Sequence, residues 1–237
     1  MEKKYRIRGC ELNEKNITLQ ETIFHNANGY IGVRGTLEEG CPEGFDTMRG
    51  MYINGFYDMA PMKQAEKLCN LVEDKETMVN VADTQTIHVS FDGREFSMFD
   101  GTVSDYERVL DMEQGVTERN LTWKTPEGRT VEFSIRRMTS FENRALFTID
   151  YTFRSVDFEG QVEIASFQKG LVKNYCNPDD PRLADESPMH LIPAGEVLDE
   201  TKSCLAAETV ESKLTVVTAV AHQIFINGEE YKDTEKV

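Results

Sequence analysis

Long apolar runs are missing from this 237-residue sequence. No stretch approaches the roughly 20 apolar residues that span a bilayer as a helix, so a membrane span is not expected. The opening MEKKYRIRG is charged where a secretory leader would be apolar, which makes the cytoplasm the expected compartment. Basic residues are also few: 26 lysines and arginines against 42 acids leave a net charge of −16, a field that repels phosphate backbones and anionic lipid. Neither nucleic acid nor membrane is expected as a partner. Cysteine is sparse and odd in number, at positions 10, 41, 69, 176 and 204, with no CxxC pair. That spacing argues against a disulfide framework or a zinc knuckle and is read as free thiols.

The familiar catalytic signatures are absent as well. There is no GxGxxG after a strand, no GKS or GKT phosphate loop, no HExxH and no GxSxG elbow. The four histidines, at 25, 88, 190 and 222, are too dispersed to nominate a metal site. The sole tryptophan, Trp123, lies in an expected strand rather than on an open platform.

What the chain does carry is alternation. Ala145, Phe147, Ile149, Tyr151 and Phe153 are apolar at every second position, with Thr148, Asp150, Thr152 and Arg154 between them, as expected for a strand with one face on a core. Thr86 to Phe91 alternates in the same way and ends at the hairpin dipeptide Asp92-Gly93. His88 would face outward there. Asn120–Lys124 and Arg129–Arg136 flank Thr125-Pro126-Glu127-Gly128, a turn that would point Val131, Phe133 and Ile135 inward. Leu214 to Phe225, with His222 inside it, is apolar on both faces, the pattern of a central or covered strand. Helix signals are few, the best being Met62 to Val72. The expected fold class is mainly β: one large antiparallel β-sandwich over residues 1–237 with a few short helices.

Two glycine-rich runs and one proline-rich run stand out. In ETIFHNANGYIGVRG, Glu21 to Gly35, Asn28-Gly29 reads as a turn, and the later glycines allow close approach of neighbouring chain. GMYINGFYD, Gly50 to Asp58, sets Tyr52 and Tyr57 beside Asn54 and Asp58, residue types that stack on and hydrogen-bond sugars. Core packing is the commoner role for such a cluster. Between Leu171 and Asp199 the alternation lapses around Pro178, Pro181, Pro188 and Pro193, giving a long irregular loop of the kind that carries function.

In order, ETIFHNANGYIGVRG, Glu39-Gly40, GMYINGFYD, the stretch Asp105 to Ser140 and Asp179-Asp180-Pro181-Arg182 resemble the opening of glycoside hydrolase family 65, which includes the maltose, kojibiose and trehalose phosphorylases. The resemblance covers roughly Glu21 to Arg182. Where the family commonly has an NLPNW-like segment, this chain reads Asn70-Leu71-Val72-Glu73-Asp74, which leaves the disaccharide open. The resemblance implies a galactose mutarotase-like supersandwich that supports an (α/α)6 catalytic barrel absent from this chain, and that takes part in homodimer formation. It implies a full-length enzyme that cleaves an α-glucosidic disaccharide with inversion, inorganic phosphate serving as co-substrate and no cofactor being required. It nominates no catalytic residue here, so the chain alone is expected to be inactive. Tyr52, Asn54, Tyr57, Asp58, Asp180 and Arg182 are the candidates for facing the barrel or the sugar, and the loop Leu171 to Asp199 is expected to gain order from the barrel. Two other classes remain: a free-standing carbohydrate-binding sandwich, which needs an exposed aromatic platform, and a mutarotase-like epimerase, which needs a histidine and a carboxylate converging across strands.

Overall fold

The computed structural model describes residues 5–9, 11–62, 70, 72–180, 183 and 189–234. The chain forms two compact units, Met1–Asn54 with Gln85–Phe167 and Gly55–Thr84 with Gln168–Val237. In chain order, β1 (Arg6–Gly9) leads through a 3-10 turn (Glu14–Asn16) into α1 (Ile17–Ile23), then β2 (Asn26–Ala27), β3 (Ile31–Val33), β4 (Met51–Pro61) and β5 (Asp74–Asn80). There follow β6 (Asp83–Phe91), β7 (Arg94–Glu95), β8 (Thr102–Asp111), β9 (Val116–Lys124), β10 (Thr130–Thr139), β11 (Phe147–Ser155) and β12 (Val162–Lys169). The last are β13 (Leu191–Leu198), β14 (Lys202–Thr209), β15 (Thr215–Ala221), β16 (Ile224–Ile226) and β17 (Glu229–Tyr231). The chain is thus mainly β, as the alternation requires. Among the described residues, no helix is long and apolar enough to cross a membrane.

The first unit is built on the antiparallel sheet β1-β8-β9-β10-β11. Its hairpins form where the turn chemistry places them. Asp92 and Gly93 both adopt positive φ, 49° and 81°, the geometry that joins two strands with matched twist. At the β9–β10 turn Gly128 has φ 96° and donates its N–H to the Thr125 carbonyl at 2.9 Å. The inward stripe of β10 is buried as its alternation demands, Val131 at 0%, Phe133 at 3% and Ile135 at 1% exposure. Together with Leu121 and Trp123 of β9 it meets Val89, Phe91 and Phe96 from the β6–β7 side, forming one core between two layers. Phe96 stacks on Phe133 with ring centroids 4.1 Å apart, and Trp123 is wholly buried with its indole N–H on the Asp100 carbonyl at 2.7 Å.

The second unit holds the sheet β13-β14-β15 and the hairpin β16-β17, together with β5 and the greater part of β4. Two sequence expectations are corrected here. Leu191–Leu198, expected within an irregular loop, is a strand; a β-bulge between Pro193 and Gly195 on an edge strand absorbs the proline that hides it from pattern reading. The run Leu214 to Phe225 is not a central strand: β15 is the edge of its sheet with Val217 60% exposed, and His222 lies just beyond its end.

The expected helix over Met62 to Val72 falls largely outside the described residues. The 3-10 turn that leads into α1 opens with a capping box, in which the Asn13 side chain accepts from the Lys15 N–H and the Asn16 side chain from the Asn13 N–H. In the loop after β12, Asn174 accepts from the Asn80 N–H at 2.8 Å and donates to the Met78 carbonyl at 2.9 Å, which ties that segment to β5.

Because Phe133 is at the centre of the aromatic core, Phe133→Ala is expected to lower stability by about 3–5 kcal/mol. Urea unfolding followed by Trp123 fluorescence measures this, and a loss below about 1 kcal/mol would contradict the packing.

Candidate functional site

The segment Arg34 to Glu39 has no regular structure, yet residues 35–39 are buried. A buried irregular backbone leaves carbonyls that need donors, and here arginines provide most of them. Arg137 donates to the carbonyls of Arg34 and Thr36, Arg108 to that of Gly35 at 2.6 Å, and Arg49 to that of Leu37 at 2.7 Å. The Ile87 N–H donates to the Glu38 carbonyl at 3.1 Å. Gly35 is required at its position, because a Cβ there would lie 2.5 Å from the Phe24 carbonyl oxygen.

The two glutamates complete the cluster. Arg119 of β9 makes a bidentate contact with Glu39 and a further one with Glu38, each at 2.6 Å, while Arg137 Nε lies 3.0 Å from Glu38. Arg108, Arg119 and Arg137 are 3–4% exposed. Burial alone would raise the Glu38 carboxyl, but Arg137 and then Arg119 outweigh it and hold the group below the usual carboxylate range. Burial pushes Arg137 down to about 10, whereas for Arg119 the paired Glu39 and Glu38 overcome burial and raise it. The cluster is therefore a set of fixed charges.

In the second unit, Asp58 is 1% exposed. One of its carboxylate oxygens accepts from the backbone N–H groups of Glu211 and Ser212 at 3.0 and 2.7 Å, and the other is 3.2 Å from His190 Nδ1. Burial opposes ionisation, and the Ser212 amide, His190 and the Glu211 amide together hold the carboxyl below its ordinary range. Asp58 thus anchors the turn after β14, and the neighbouring Tyr57 carbonyl accepts from the Ser212 hydroxyl at 2.7 Å. Asp180 sits in the same unit in a turn, its N–H on the Asn177 carbonyl and its carbonyl taking the Leu183 N–H.

Tyr52 and Asn54 belong to the first unit. The Tyr52 ring covers Gly50, where a Cβ would lie 2.8 Å from it, and Asn54 is exposed with its amide on the Gly29 carbonyl at 3.2 Å. Arg182 lies outside the described residues. Each unit therefore gathers its own subset of the sequence candidates.

Pattern reading alone missed Glu38, Glu39, Arg119 and Arg137. A signal existed: Arg119 shares the inward parity of Leu121 and Trp123, and Arg137 that of Val131, Phe133 and Ile135. Trp123, whose exposure a stacking platform would need, is part of the core. Among the described residues, no group of three or more His, Cys, Asp or Glu side chains is placed to hold a metal ion. Cys41 and Cys204 are free thiols, and the Cys176 thiol donates to the Asn174 carbonyl at 3.6 Å.

Comparison with known proteins places this architecture. Residues 7–237 match the N-terminal domain of glycosyl hydrolase family 65. The α,α-trehalose phosphorylase of Geobacillus stearothermophilus is 35% identical over 229 residues, 95% of this chain and 30% of that protein. The kojibiose phosphorylase of Halothermothrix orenii is 27% identical over 236 residues, 99% of this chain and 27% of that protein. A solved structure, a putative kojibiose phosphorylase from human microbiome, superposes with a TM-score of 0.74 at 17% identity, covering 96% of this chain and 30% of that one. The chain thus spans less than a third of the length of these relatives.

Two outcomes follow from the buried charges. Arg119→Met leaves Glu38 and Glu39 without their shared guanidinium, and is expected to lower stability by about 3–5 kcal/mol in urea unfolding; a neutral result would contradict the pairing. Glu38 and Asp58 both have depressed folded-state pKa values. Their contribution is present above the unfolded carboxylate pKa of about 4 and is lost as pH falls through the lower folded values. The melting temperature should accordingly fall below about pH 4, and a flat profile there would contradict it.

Proposed function

This chain belongs to the N-terminal domain of glycosyl hydrolase family 65, and on that premise we propose that it is the non-catalytic β-domain of a longer, inverting disaccharide phosphorylase acting on α-glucosides. In that reading it supports a helical catalytic barrel and contributes to homodimer formation. The reaction breaks the bond between the anomeric carbon and the glycosidic oxygen. Inorganic phosphate attacks that carbon from the opposite face, and a carboxylic acid elsewhere in the polypeptide protonates the departing oxygen. The products are a sugar 1-phosphate of inverted configuration and the free second sugar.

The observation that carries the reading is the match over residues 7–237 to a domain whose relatives here are phosphorylases more than three times as long. The state of the buried acids supports it. A general acid must hold its proton near neutral pH, which requires a raised carboxyl pKa. Glu38, Asp58 and Asp111 are instead held low by arginines and N–H donors. Glu21 accepts from the Thr47 hydroxyl and the Met48 N–H, and Glu39 is bound by Arg119.

The test has two arms. The purified chain should release no glucose 1-phosphate from α,α-trehalose, kojibiose or maltose with phosphate; sustained release above a buffer control would overturn the non-catalytic role. A chimera in which residues 1–237 replace the matching segment of the Geobacillus stearothermophilus trehalose phosphorylase should phosphorolyse trehalose. A soluble, folded chimera with no activity would count against a supporting role.

A further inference from the structure

Three Asn-Gly pairs occur in the chain: Asn28-Gly29, Asn54-Gly55 and Asn227-Gly228. An asparagine before glycine is open to attack from its own main chain, because glycine has no Cβ to shield the nitrogen that follows the carboxamide. All three glycines have positive φ, 84°, 83° and 87° in chain order. The dipeptide is thus the same three times, and only the surroundings differ.

Asn28 is buried and held by four hydrogen bonds. Its amide donates to the Ser140 and Arg144 carbonyls at 2.6 and 3.0 Å, and its side-chain oxygen accepts from the Tyr30 and Ile31 N–H groups at 3.0 and 2.9 Å. The carboxamide cannot turn towards the Gly29 nitrogen without breaking them. Asn54 is exposed but lies within β4; its amide donates to the Gly29 carbonyl at 3.2 Å and its N–H to the Tyr30 carbonyl at 2.9 Å.

Asn227 differs on each count. With Gly228 it forms the exposed two-residue turn of the β16-β17 hairpin, at φ 53° and 87°. Among the described residues, neither the Asn227 side chain nor the Gly228 N–H has a hydrogen-bond partner. The hairpin pairs Ile224 with Tyr231, Phe225 with Glu230 and Ile226 with Glu229 in a two-stranded sheet of its own, and Phe225 and Ile226 are 58% and 53% exposed. A two-stranded hairpin is marginal in water, so this one opens locally at little cost. Opening frees the Asn227 carboxamide to meet the Gly228 nitrogen.

We propose that Asn227 is a site of spontaneous deamidation in the folded protein, the one Asn-Gly pair that the structure leaves free to react. The Gly228 nitrogen gives up its proton to a base in solvent and attacks the Asn227 Cγ. A C–N bond forms, closing a succinimide ring, and the side-chain nitrogen takes a proton and leaves as ammonia. Water then adds to a ring carbonyl and breaks its bond to the ring nitrogen. Attack at the side-chain carbonyl gives aspartate; attack at the main-chain carbonyl gives isoaspartate, whose main chain runs through the side chain and is one carbon longer. Water is the only co-reactant, and nothing is oxidised or reduced. Either product sets a new negative charge beside Glu229 and Glu230 in a chain already at −16. The longer main chain of isoaspartate no longer fits a two-residue turn, so the modification unpairs the hairpin that bears it.

The purified chain, incubated at neutral pH in water enriched in heavy oxygen, tests this by peptide mass spectrometry at all three pairs. Deamidation during the incubation is marked by the label in the new carboxylate. In the folded chain Asn227 should convert at least about tenfold faster than Asn28 or Asn54, and in urea, where the surroundings are gone, the three rates should converge. Both aspartate and isoaspartate should appear at position 227. Conversion of Asn28 or Asn54 as fast as that of Asn227 in the folded chain overturns the assignment. So does a rate at Asn227 that folding suppresses about tenfold or more below its rate in urea. Aspartate alone at position 227 overturns the succinimide route. These outcomes do not depend on the reading of the chain as part of a phosphorylase.

Discussion

The first unit depends on one constraint: a buried stretch without regular structure, Arg34 to Glu39, must have every polar group matched. A strand in that place would take its hydrogen bonds from neighbours in a ladder. This segment takes them from guanidinium groups, each of which offers several donors in a fixed fork. Arg137 alone reaches the Arg34 and Thr36 carbonyls, Glu38 and the Gln85 side chain. The arrangement is reciprocal. Arg108 and Arg119 are opposite one another across β8 and β9, a like-charge pair that is unfavourable unless anions stand beside it. Glu38 and Glu39 are those anions, and only the path of this segment brings them there.

The inner face of the sheet therefore changes character along its strands. On β10 the inward stripe runs Val131, Phe133, Ile135 and then Arg137; on β9 it runs Trp123, Leu121 and then Arg119. Its apolar end is a stack of rings and its other end is a lattice of charge. Buried ion pairs contribute less net stability than well-packed apolar residues of similar volume. They do penalise error: a slip of one residue in β9 or β10 would turn Arg119 or Arg137 to the wrong face and strand two glutamates in the core. The aromatic half supplies most of the driving force, and the ionic half makes only one register acceptable.

The apolar half was legible because alternation states it directly, and the turns were legible because Asp92-Gly93 and Pro126-Glu127-Gly128 allow few conformations. The ionic half was not, since period-two patterning treats an inward arginine as noise and nothing local connects Glu38 to residues 80 or 100 positions later. β13 was hidden for another reason. Pro193 reads as a strand breaker, and only the pairing with β14 reveals the bulge that accommodates it. Of the residues singled out in sequence, Asp58 is the best defined in space: its partners, Glu211, Ser212 and His190, are more than 130 positions away. Tyr52 and Asn54 are set by contacts within their own strand and the adjacent turn.

A carboxyl group can be a structural anchor or a proton donor, and the same neighbours cannot make it both. Guanidinium groups and backbone N–H donors that satisfy a buried carboxylate also lower its pKa, which removes the proton that glycosidic bond cleavage requires. In this chain Glu38, Asp58 and Asp111 are all of the anchored kind, placed where the fold would otherwise leave N–H donors or guanidinium groups unmatched. Each of these positions thereby gains a fixed local geometry and gives up general-acid chemistry.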